Sequence, residues 1–163
     1  MSAPADEIPI TSAPDAVCGV DDERILTFGL LLEAHARLTR ILDAELRRSD
    51  GISLQTYEVL LRIGREPEAR VTMSGLAEAV ALTTGGVTRL ADRLTADGLV
   101  ERRSCPGDRR VVWLTLTSEG WDMLAAATAH HLEHLETHVQ ARIGPKDLPA
   151  VHRALDTLRT DPA

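Results

Sequence analysis

Residues 83–89 read TTGGVTR and offer hydroxyls at Thr83, Thr84 and Thr88 and a guanidinium at Arg89. Hydroxyls can bond phosphate oxygens or base edges, and an Arg can grip guanine O6 and N7 with two hydrogen bonds. Val87, Leu90, Ala91 and Leu94 recur at helical spacing and mark a buried stripe. Thr84, Gly85, Thr88, Arg89 and Asp92 then fall on the outer face. Gly85 and Gly86 stand in the first turn, although a helical Gly costs about 1 kcal/mol relative to Ala. A helix entering the major groove of DNA by its N-terminus brings its first turn nearest the bases. Small residues there let the backbone come close, and its free N–H groups suit phosphate. The alternative is that the two glycines only permit close packing on the preceding helix. Asp92 does not suit phosphate and is expected to hold Arg89 or another Arg.

A second cationic group follows. Ser104-Cys105-Pro106-Gly107-Asp108 is turn chemistry, and Asp108-Arg109-Arg110 places two cations and a carboxylate able to orient one of them at its tip. An Arg on such a tip fits a narrow minor groove, where negative potential is concentrated. The alternative is a solvated, charged turn. Cys105 lies among Arg102, Arg103, Arg109 and Arg110, cations that favour a thiolate and make it a candidate redox site. The other reading is an ordinary turn residue before Pro106, because Cys18, in the N-terminal tail, offers no ordered resolving thiol.

His130, His131, His134 and His138 form the remaining cluster. Imidazoles three and four residues apart on a helix can bind zinc, with His131, His134 and His138 as the candidates. His131 and His138 border the apolar stripe of Leu124, Leu132, Leu135 and Val139, while His130 and His134 are expected to turn further outward. No Cys stands among them, and Glu133 and Glu136 fall on other faces. The other reading is a mixed, partly exposed helix flank, so the sequence favours no metal and implies no cofactor.

These groups need elements to position them. Residues 1–20 are rich in Pro, Ala, Ser and Asp without periodicity and read as a disordered tail. Residues 21–50 carry Ile25, Leu26, Leu30, Ala34, Leu38 and Leu42 at helical spacing, with Arg47 and Arg48 at the end favoured by the helix dipole. Asp50-Gly51 breaks that helix. Ser53, Thr72, Thr83 and Thr117 are the expected helix caps, and Gly98 and Gly144 the expected stops. The second helix carries Tyr57, Leu60, Leu61 and Ile63 and ends near Gly64. Residues 99–103 and 111–116 read as the strands of a hairpin. A long helix from Thr117 to about Arg142 and a short one from about Asp147 to Leu158 complete the order.

The predicted fold is mainly α with a small β-hairpin wing. It is a winged helix-turn-helix over residues 51–117, flanked by the helix of 21–50 and the C-terminal helices of 118–160. The flanking helices are rich in Leu, Ala and Ile, and a monomer would struggle to cover them. A homodimer formed by the chain ends is expected.

Composition bounds the reading. The chain has 163 residues, 44% of them hydrophobic, enough for one ordinary domain with a core. Apolar runs fall far short of a membrane span. The first fifteen residues carry acid and no Lys or Arg, which argues against a signal peptide. Two Cys in such a chain point to the cytoplasm. The net charge of −7 taken alone disfavours nucleic acid. Its distribution does not, because residues 70–112 hold seven Arg against five acids, net +2, and the rest carries −9.

The stretches MSGLAEAVALTTGGVTRLADRLTADGLVERR and CPGDRRVVWLTLTSEG resemble the MarR-type transcriptional regulators, closely over residues 52–124 and by pattern in the flanking helices. The Asp-x-Arg wing followed by Leu-Thr-x-x-Gly carries the resemblance. It implies a homodimer on a pseudo-palindromic operator, usually a repressor, released by a small phenolic or other aromatic effector or by cysteine oxidation. By this resemblance Arg110 is the minor-groove Arg, Asp108 orients it, and Thr83 to Arg89 form the base-reading stretch. Gly75 departs from the family, which often has Glu there. The family's effector pocket lies between the dimerisation helices and the winged helix. Tyr57 matches an aromatic position lining it, and is equally a core or interface Tyr. His35 and Arg62 are further polar candidates.

The expected function is a ligand-responsive, dimeric DNA-binding regulator without enzymatic activity. Two alternatives stand beside it. One is a small helical metalloenzyme built on the His130–His138 cluster, for which no convergent general base is visible. The other is a winged-helix interaction module consistent with the net acidity.

Overall fold

The computed structural model describes residues 20–79, 84–104, 107 and 111–160, with the backbone alone described at Ala79 and Thr84. The expected N-terminal tail falls almost entirely outside them. Helix α1 spans Glu23–Ser49, and two compact units divide within it, after Ala36. In the first unit the Asp22 carboxylate accepts the Arg24 N–H at 2.9 Å, occupying a free donor at the helix start. Ile25, Leu26, Phe28, Leu30, Leu31 and Leu32 are all exposed there.

The second unit begins with the rest of α1, which buries Leu42 and Leu46. Helix α2 (Leu54–Arg65) starts where the Ser53 hydroxyl accepts the Thr56 N–H at 3.0 Å. Strand β1 (Arg70–Thr72) leads directly into α3 (Met73–Ala79), whose Gly75 N–H is accepted by Thr72 Oγ1 at 3.0 Å. Helix α4 spans Thr84–Ala96, and Gly98 ends it with a φ of 73°. Strands β2 (Val100–Ser104) and β3 (Val112–Leu116) form the expected hairpin.

Sequence reading did not anticipate β1. It pairs with β3 on the side opposite β2, giving an antiparallel sheet in the order β1-β3-β2 with Val71 beside Leu114. Three residues are too few to show a period. The unpaired edge of β3 recruits them. The inner sheet face and the helices share one core, in which Leu46, Leu60, Ile63, Leu76, Leu94 and Leu114 are fully buried.

Helix α5 (Ser118–Leu135) begins at Thr117, which works in both directions. Its Oγ1 accepts the Gly120 N–H at 2.9 Å and donates to the Gly98 carbonyl at 2.6 Å. The Thr117 N–H also reaches the Leu99 carbonyl at 3.2 Å. The end of α4 and the start of α5 are thus tied through one residue. The expected single helix to about Arg142 is interrupted. A π-helical turn at Glu136–Gln140 follows α5, then a short α6 (Ala141–Ile143). Gly144 ends this run with a φ of 79°, and α7 (Leu148–Arg159) carries exposed Leu155 and Leu158.

Candidate nucleic-acid interface

Helix α4 is held from one side and open on the other. Val87, Leu90, Ala91 and Leu94 are between 0% and 4% exposed and lock it onto the core. Gly85, Thr88, Arg89, Asp92 and Arg93 are exposed on the other face. A Cβ built on Gly85 meets nothing within 4 Å among the described residues, so none of them demands glycine at that position. That open space is what the groove-clearance reading of Gly85 needs and what the packing alternative does not supply.

Asp92 holds Arg102 of β2 at 2.7 Å, which resolves the choice left open for that carboxylate. The pair ties the middle of α4 to the strand leading into the wing. Among the described residues Arg89 and Arg93 have no carboxylate partner, which leaves their cationic heads available to an anion. On the outer sheet face Arg103 pairs with Glu101 at 2.5 Å and holds that carboxyl below its ordinary range. Arg70 lies 4.5 Å over the Trp113 ring and pairs with Glu68. Between α3, α4 and β3 a groove of about 610 Å³ is lined in part by Thr72, Ser74, Glu78, Thr88 and Val112. It contributes hydroxyls to the same surface as the outer face of α4.

Thr83, Cys105, Asp108, Arg109 and Arg110 lie outside the described residues, as does the side chain of Thr84. Of the effector candidates, Tyr57 and Arg62 belong to the second unit. Tyr57 is 4% exposed, its ring centroid stands 4.7 Å from that of His131, and its hydroxyl is 3.3 Å from Thr128 Oγ1. Arg62 is exposed on α2 and pairs with Glu66 at 2.9 Å. His35 is exposed in the first half of α1, within the N-terminal unit.

The histidines depart from the sequence reading. His134, expected further outward, has a side chain only 13% exposed and turns its Nε2 toward Glu45 at 3.9 Å. His138 Nε2 approaches the other oxygen of Glu45 at 3.6 Å. His130 Nδ1 reaches the buried Asp50 at 2.8 Å. The last turn of α1 offers these carboxylates, and its packing decides which imidazoles face inward. Burial, and then the charge of His134, push the His131 imidazole below its ordinary pKa. Among the described residues no group of three or more His, Cys, Asp or Glu is arranged to hold a metal ion.

Comparison with known proteins meets this geometry at its centre. The model of the MarR family matches residues 50–111, from just before α2 to the residue that precedes β3. Over that stretch the chain resembles the MarR family. It is similar to the HTH-type transcriptional regulator BilQ of Clostridium symbiosum, with 36% identity over 45% of this chain and 49% of BilQ, so that match spans about half of the relative. It is also similar to the HTH-type transcriptional regulator PecS of Dickeya dadantii, with 26% identity over 77% of this chain and 82% of PecS. Among solved structures it resembles Sco3205, a MarR family transcriptional regulator from Streptomyces coelicolor in complex with DNA. The TM-score is 0.77 and the identity 26%, over 85% of this chain and 90% of that one. These relatives are transcriptional regulators.

Proposed function

We propose that this protein is a dimeric, ligand-responsive transcriptional regulator of the MarR type. It acts as a repressor on a pseudo-palindromic DNA operator and is released by a small-molecule effector, aromatic by family resemblance. The observation that carries the reading is α4, pinned by Val87, Leu90 and Leu94 and presenting Gly85, Thr88 and Arg89 outward. The solved DNA complex of Sco3205 supports DNA as the partner of that face. The exposed apolar side chains of α1 and of α7 support a second copy of the chain as the other partner. Among the described residues no helix is long and apolar enough to cross a membrane, in keeping with a cytoplasmic site of action.

Footprinting on DNA next to the protein's own gene tests the proposal. The expected result is a protected site with two half-sites about one helical turn apart, and affinity falling steeply with salt. Absence of protection, with weak binding that ignores sequence, overturns it in favour of the interaction-module reading.

A further inference from the structure

Asp92 stands on the open face of α4 with Arg89 and Arg93, where a carboxylate repels the phosphates that the rest of the face suits. Its side chain is 55% exposed and is held at 2.7 Å by Arg102 of β2. Side chains alternate along a strand. Glu101 and Arg103 therefore pair with each other on the outer sheet face, and Arg102 shares the inner face with Val100 and Ser104. Burial fades along that inner face. Val100 and Leu114 are buried, whereas Ser104 is exposed and Val112, its partner on β3, is half-buried. Strand β1 supports β3 only as far as Trp113, so the rung from Ser104 to Val112 is two strands alone, an arrangement of marginal stability in water. The groove of about 610 Å³ lies beneath it, with Val87 and Thr88 of α4 on one side and Val111 and Val112 on the other. The hairpin thus leaves the core at about the level of Arg102, where the ion pair to Asp92 spans to α4.

We infer that Asp92 is a positioning residue: through Arg102 it fixes the hairpin against α4, so that helix and wing meet one DNA site together. The inference rests on the DNA-binding reading above. An ion pair this exposed adds little to the stability of the fold. Its effect is on placement. Without the pair, the outer hairpin is held by its ladder alone, and order missing from the free protein has to be regained on binding. That cost falls on a site where helix and wing must engage at once. Binding that ignores sequence requires no such register.

Electrostatics alone gives the opposite sign. Removing one acid from a face that meets phosphate tightens binding to any DNA, and it releases Arg102 as a further cation. Asp92→Asn keeps the size of the side chain and removes the charge, so it separates the two effects.

The full-length variant is measured on the footprinted operator and on a random duplex of equal length. The operator Kd should rise while the random Kd holds or falls, and the ratio of random to operator Kd should drop about threefold or more, the size expected of one exposed pair. A smaller drop or a rise overturns the inference. The exchanged pair, Asp92→Arg with Arg102→Asp, should restore that ratio to about threefold or more above Arg102→Asp alone. A general gain of positive charge moves both duplexes together, and an unrestored ratio overturns the inference. The melting temperature of Asp92→Asn should stay within about 3 °C of wild type. A much larger fall makes the pair part of the fold itself and overturns the positioning role. Amide hydrogen exchange at the outer rungs of β2 and β3, read without DNA, should quicken about threefold or more in Asp92→Asn and recover in the exchanged pair. Unchanged exchange overturns the inference. If the wild type prefers no DNA sequence, the DNA-binding reading fails, and the exchange rates still decide whether the pair holds the hairpin.

Discussion

A Cβ on Gly120 would stand 2.0 Å from the carbonyl oxygen of Leu99. The first turn of α5 therefore rests directly on the backbone between α4 and β2. That same carbonyl accepts the Thr117 N–H, and the Thr117 hydroxyl accepts the Gly120 N–H. This gives a physical reason for the Leu-Thr-x-x-Gly pattern at residues 116–120: the Thr caps the helix and the Gly lets the cap reach the strand. The clash is with backbone, which cannot swing aside as a flexible side chain would. Gly120→Ala should cost about 1–3 kcal/mol or more, as overpacking does. That corresponds to roughly 2–4 °C of melting temperature per kcal/mol in a chain of this length. A thermal melt followed by circular dichroism checks it, and an unchanged midpoint would refute the close-approach account.

Gly85→Ala should behave in the opposite way. Among the described residues nothing lies within 4 Å of the added carbon, and Ala is the better helix former by about 1 kcal/mol. The melting temperature should hold or rise while operator binding weakens, because the methyl enters space that DNA needs. A variant that melts much lower yet binds normally when folded would return this glycine to a packing role.

Arg89→Ala should lose about 1–3 kcal/mol of specific binding and relax sequence preference if the side chain reads a base. Binding isotherms on operator and on random DNA separate the possibilities. An equal loss on both assigns Arg89 to a phosphate contact.

The apolar residues of α1 should matter in solution. Phe28 is 60% exposed and Leu30 68% exposed in the single chain, and charges at these positions would oppose a second copy packing over them. The double variant Phe28→Asp, Leu30→Asp should sediment as a monomer near 17.7 kDa while the wild type sediments as a dimer. A wild-type monomer at micromolar concentration would contradict the dimeric reading.

The sequence by itself determined the inner and outer faces of α4. Val87, Leu90 and Leu94 recur with the helical period, so the positions of Gly85, Thr88 and Arg89 followed from geometry within one element. The caps at Ser53, Thr72 and Thr117 and the stop at Gly98 were legible for the same reason, since each acts on backbone groups a few residues away. What joins distant stretches was decided only by the tertiary structure. Strand β1 exists because β3, more than forty residues later, offers its free edge. The choice of Arg102 rather than Arg89 for Asp92 depends on where β2 passes α4. The inward turn of His134 toward Glu45 depends on how the end of α1 packs against α5. Periodicity and capping are properties of neighbours along the chain, while a partner across the fold is fixed by packing that no local window contains.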